Sequence, residues 1–61
     1  MYRIETQKNG EWQVSSTFQR SYPLDAICEA AAQLRRIVSY RVRVTRVSLE
    51  GVVLEVLDGA Q

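Results

Sequence analysis

The stretch Tyr2-Arg3-Ile4-Glu5-Thr6-Gln7-Lys8-Asn9-Gly10-Glu11-Trp12-Gln13-Val14-Ser15-Ser16-Thr17-Phe18 carries its apolar residues at even positions, Tyr2, Ile4, Trp12, Val14 and Phe18, and mostly polar ones at odd positions. A period of two places successive side chains on opposite faces of an extended chain, so the stretch predicts two β-strands. The interruption at Lys8-Asn9-Gly10 predicts a hairpin between them. A two-residue Asn-Gly turn would pair Gln7 with Trp12 and Ile4 with Ser15, setting polar side chains on the apolar face. A three-residue loop closed by Gly10 pairs Thr6 with Trp12, Ile4 with Val14 and Tyr2 with Ser16, and keeps the apolar residues together. The expectation is therefore the three-residue loop.

Beyond Phe18 a polar connector, Gln19-Arg20-Ser21, leads to Tyr22-Pro23. Proline suits the opening of a helix, where its missing N–H would have no partner anyway. Leu24, Ile27, Cys28, Ala31, Leu34 and Val38 then recur at spacings of three and four, with Asp25, Glu29, Gln33 and Arg36 on the opposite side. This pattern predicts an amphipathic helix to about Ser39. Asp25 and Glu29 early and Arg35 and Arg36 late complement its macrodipole.

From Tyr40 the period returns to two, with Tyr40, Val42 and Val44 on one side and Arg41, Arg43 and Thr45 on the other. The β-branched residues favour a strand. Between Val44 and Val47 the alternation slips, which fits either a bulge near Thr45-Arg46 or a strand that changes the face it buries. Glu50-Gly51 predicts a turn, Val52 to Leu57 a fourth strand, and Asp58-Gly59-Ala60-Gln61 a polar tail. The chain, 1–61, thus reads as one α+β domain of ββαββ order, a four-stranded, mainly antiparallel sheet with one helix on one face. The expected core is Tyr2, Ile4, Trp12, Val14, Phe18, Leu24, Ile27, Ala31, Leu34, Val38, Val42 and Val44, with part of Val47 to Leu57. Arg3, Glu5, Gln13, Ser15, Thr17, Arg41 and Arg43 are expected on the open sheet face.

At 61 residues the chain is small enough to bury only about 60% of the surface its unfolded form exposes, so a standing partner or a second copy would help to stabilise it. No apolar run exceeds three residues, which argues against a membrane span or a signal peptide. The single cysteine, Cys28, has no disulfide partner, and without histidine there is no soft-metal ligand set. These features predict a cytoplasmic protein without cofactor or metal. They also leave little for catalysis, since the commonest general base is missing and Cys28 lies on the apolar side of the helix. Asp25 and Glu29, one turn apart, read as dipole partners. Gly10, Gly51 and Gly59 are isolated and form no nucleotide-binding motif. No small-molecule substrate is expected.

The charge distribution says more than the net charge of +1. Arg35, Arg36, Arg41, Arg43 and Arg46 fall within twelve positions that hold no acid. Arginine presents a planar fork of donors suited to phosphate or carboxylate, so such a band could meet nucleic acid or an acidic protein surface. Equally, each could be a solvated residue whose stem covers apolar neighbours. Two readings also stand for Trp12: closure of one end of a small core, or an anchor for a partner. The fourth strand is apolar on both faces. As a sheet edge it would invite another chain, and Val53, Glu55 and Leu57 are its candidate contact residues.

The layout combines a Tyr/Ile strand, Gly10-x-Trp12-x-Val14 opening the second strand, the alanine-rich helix (Ala26, Ala30, Ala31, Leu34) and a Val42-Arg43-Val44 strand. It resembles small hairpin-helix-hairpin proteins of two groups. One is a bacterial family of unknown function; the other comprises phage-encoded anti-CRISPR proteins that bind the protein surface of an RNA-guided surveillance complex. The resemblance implies a non-enzymatic inhibitor acting by surface occlusion of a host complex, with the arginine band in a protein groove that would otherwise receive DNA backbone. The chain lacks the acidic surface of DNA-mimicking inhibitors. The alternative is a small nucleic-acid-binding protein using the same arginines.

Overall fold

The computed structural model describes residues 1–59. Its elements follow the expected order: β1 (Tyr2–Lys8), β2 (Glu11–Phe18), α1 (Leu24–Ile37), β3 (Arg41–Val47) and β4 (Val53–Gly59). The four strands form one antiparallel sheet in the order β2-β1-β3-β4, so β1 and β3 are central and β2 and β4 are edges. The chain is an α+β protein of ββαββ topology with one helix on one sheet face. No helix among the described residues is long and apolar enough to cross a membrane.

The core lies between α1 and the sheet. Ile4, Ile27, Ala31, Val42 and Val44 are buried together, with Tyr2, Phe18, Cys28, Leu34, Val38 and Leu57 packed around them. Burial pushes the Cys28 thiol pKa up, the charges of Asp58 and Asp25 push the same way, and Arg35 pulls it down. The thiol therefore stays protonated at neutral pH and packs as a small apolar group. The helix starts at Leu24, just after Pro23, whose backbone is extended and whose carbonyl accepts the Ile27 N–H at 3.2 Å. It stops at Ile37, short of Ser39, because the backbone of Val38 is already extended while its N–H still reaches the Leu34 carbonyl. Ring contact between Phe18 and Tyr22 at 5.1 Å closes the connection from β2.

The hairpin differs from expectation. Lys8 faces Glu11 and Gln7 faces Trp12, so the loop is the two residues Asn9-Gly10. Both have positive φ, 54° and 81°, as a type I′ turn requires. The register is then reset at Ser15: Glu5 pairs with Val14, but Ile4 pairs with Ser16. That one-residue bulge turns β2 over, placing Ser16 and Phe18 on the helix side and Trp12 and Val14 on the far side. Trp12 is half-buried and Val14 is 51% exposed, so neither belongs to the helix-side core, and Gln13, opposite Thr6, takes the helix side instead. Leu24 is also exposed rather than core. A Cβ at Gly10 would meet nothing within 4 Å, so Gly10→Ala isolates the backbone term. It should cost about 1 kcal/mol in urea unfolding, and Gly10→Asn less; no loss for Gly10→Ala would contradict this turn.

β3 neither bulges nor changes face. It pairs with β1 without interruption from Gln7–Arg41 to Tyr2–Arg46, and the irregularities of the β3–β4 ladder fall on β4, at Leu54 and Leu57. The slip read from the sequence arises because β3 buries both faces: Val42 and Val44 toward the helix, Thr45 and Val47 away from it. Asp58 and Gly59 extend β4 beyond Leu57, with Asp58 opposite Val44; residues 60 and 61 of the expected polar tail lie outside the described residues. A Cβ at Gly59 would collide with the Val42 carbonyl oxygen and stand 2.9 Å from Arg43 Cα, so only glycine permits this closeness of β4 to β3.

Candidate interaction surface

Among the described residues no layer lies over the sheet face away from α1, yet this face contains a buried carboxylate. Strand alternation brings Arg3 and Glu5 of β1, Arg43 and Thr45 of β3 and Trp12 of β2 onto this face. Glu5 is 4% exposed. Arg43 Nε donates to Glu5 Oε1 at 2.7 Å, and Arg3 Nη1 lies 3.9 Å from Oε2. The Arg43 guanidinium in turn lies 4.0 Å from the centre of the Trp12 ring, a cation–π stack. Side chains of the face itself therefore desolvate Glu5. A carboxylate held this way needs its partner, because the attraction of the guanidinium offsets the cost of removing the charge from water.

At one end Arg3 and the β3–β4 turn form a cover. A side chain at Gly51 would begin 3.1 Å from Arg3 Nη2. The turn is held by Ser48 N–H to the Val52 carbonyl at 2.9 Å and Val52 N–H to Ser48 Oγ at 3.1 Å. Beneath lie Thr45 and Val47, with Thr45 Oγ1 and Arg3 Nε both buried and without a hydrogen-bond partner among the described residues. At the other end Arg41 is exposed, opposite Gln7.

The five arginines of the expected band do not share a surface. Arg35 Nη2 donates to the Val42 carbonyl at 3.1 Å and Nη1 meets Asp58 at 3.4 Å, tying the helix end to β3 and β4. Arg46 pairs with Glu55 at 3.3 Å on the helix side of the sheet. Arg43 is engaged by Glu5 on the opposite face. Arg36 on the helix and Arg41 on β3 are exposed and form no ion pair among the described residues. Odd and even strand positions look in opposite directions, and the helix forms a separate layer, so closeness in sequence does not make one patch.

The fourth-strand residues are divided as well. Val53 faces Val47 on the uncovered side, Glu55 turns to Arg46, and Leu57 packs on the core. The bulges at Leu54 and Leu57 break the alternation that would have aligned them, and they also interrupt the edge against simple strand addition. On the helix side, Met1, Tyr2, Arg20, Arg46, Leu49 and Leu54 line a groove of about 540 Å³.

Reading the sequence alone missed the Glu5–Arg43–Trp12 stack. Its one available signal was Asn9-Gly10, the residue pair that most favours a two-residue turn and hence the pairing of Gln7 with Trp12. No family model, curated protein or solved structure matches the chain.

Proposed function

We propose that the chain is a non-enzymatic protein-binding module, an inhibitor of the kind carried by phages and mobile elements, acting in the cytoplasm by occluding a surface of a host protein complex. The observation that carries this reading is the uncovered sheet face, where Val14 is exposed and Trp12 half-exposed beside the Glu5–Arg43 pair, with Val53 exposed at the far end of the face opposite Val47. An aromatic with exposed apolar neighbours on a pre-ordered frame is the composition of an interface centre. The anti-CRISPR likeness supplies the class of target to test first. The nucleic-acid alternative has less support, since Arg35, Arg43 and Arg46 already hold carboxylates.

The test is expression in a bacterium with an active RNA-guided defence. Targeted phage should plate more efficiently with the wild-type chain, and Val14→Lys or Val53→Lys should abolish the gain while keeping the wild-type thermal transition. Unchanged plating with folded protein present would remove the inhibitor reading.

A further inference from the structure

We propose that the uncovered sheet face takes an acidic protein segment, whose carboxylate pairs with Arg41 and whose apolar side chain lies on Trp12 and Val14. The inference rests on the protein-binding reading above and names the partner's chemistry. Among the described residues, the strands of this face bear three guanidiniums, Arg3, Arg41 and Arg43, and a single carboxylate, Glu5. Glu5 is consumed by Arg43, and Arg3 lies beneath the Gly51 turn. Among the described residues the face thus carries two positive charges in excess, and Arg41 is its exposed charged group, Arg3 and Arg43 being partly buried and Glu5 buried.

Charge decides among the candidate occupants. A second copy docked face to face would set the same excess against itself, and like-charge juxtaposition opposes association. A nucleic acid needs several accessible cations to displace its counterions, whereas the Arg43 side chain is only 12% exposed and that of Arg3 only 22%. A carboxylate beside an apolar side chain meets both parts of the surface, the free fork of Arg41 and the Trp12–Val14 patch. Glu5 already shows how this sheet seats a carboxylate, with Arg43 stacked on Trp12 behind it.

The experiment is selection of a random peptide library on the immobilised full chain, followed by binding of the enriched peptides in solution. Trp12, the only tryptophan, reports directly on the face. Enriched peptides should be acidic with an apolar or aromatic residue, and should shift Trp12 emission to the blue. Arg41→Glu should weaken them about tenfold or more. Neutral or basic enriched peptides, no enrichment, or an Arg41→Glu variant that binds as wild type would overturn the proposal. So would a short mixed-sequence DNA duplex binding more tightly than the peptides at physiological salt, or a light-scattering mass of two chains that falls to one in Arg41→Glu. If the library gives no acidic peptides but phage plating still depends on Val14 and Val53, only the acidic chemistry fails. If plating is unaffected, the inhibitor reading fails whatever the peptides show.

Discussion

Ile27→Ala should remove about 3 kcal/mol of stability, a large part of the total. Ile27 is 0% exposed and sits where α1 meets Ile4, Val42 and Val44. Truncation deletes its apolar contacts and leaves a cavity that a single helix over a sheet can close only partly. The margin is small, since a domain of this size is stable by roughly 3–9 kcal/mol in all. Ile37, ten positions on and 81% exposed, is the matched control, and Ile37→Ala should cost less than about 0.5 kcal/mol. Urea unfolding followed by circular dichroism distinguishes the two. A loss for Ile27→Ala as small as that for Ile37→Ala would mean that the helix does not pack on the sheet through this face.

The second large effect belongs to the uncovered face. Arg43→Leu should cost about 3 kcal/mol, because it leaves the Glu5 carboxylate, in a place from which water is largely excluded, with only the more distant Arg3 guanidinium. It also strips the guanidinium from Trp12. Replacing both partners, Glu5→Leu with Arg43→Leu, should recover most of the loss, since an apolar pair has no charge to desolvate. The double-mutant cycle measures the coupling. Additive single losses would show that Glu5 is solvated and would remove the frame on which the proposed interface is built. Because Ile27 and Arg43 act on opposite faces of the sheet, they separate core packing from the organisation of the interaction surface.

These two residues also mark how far the sequence could be read. Ile27 belongs to a periodic set, Leu24, Ile27, Cys28, Ala31 and Leu34, and most of that set faces the core. Arg43 looked like one member of a solvated or phosphate-binding band. It is instead bonded to a residue 38 positions away. A band defined along the chain dissolves when helix and strands take separate layers, and Val53, Glu55 and Leu57 part company for a similar reason, at two bulges.

Local periodicity was enough to determine the element order, the apolar face of α1 and the α+β architecture, because each depends on side-chain direction within a few residues. The tertiary structure alone decided the faces of Trp12 and Val14 and the burial of Glu5. Those outcomes turn on the positive-φ Asn9-Gly10 turn and one extra residue at Ser15, which together shift a register by one and so invert a strand. They turn equally on cross-strand charge pairs whose energy exists only once β1 and β3 lie side by side.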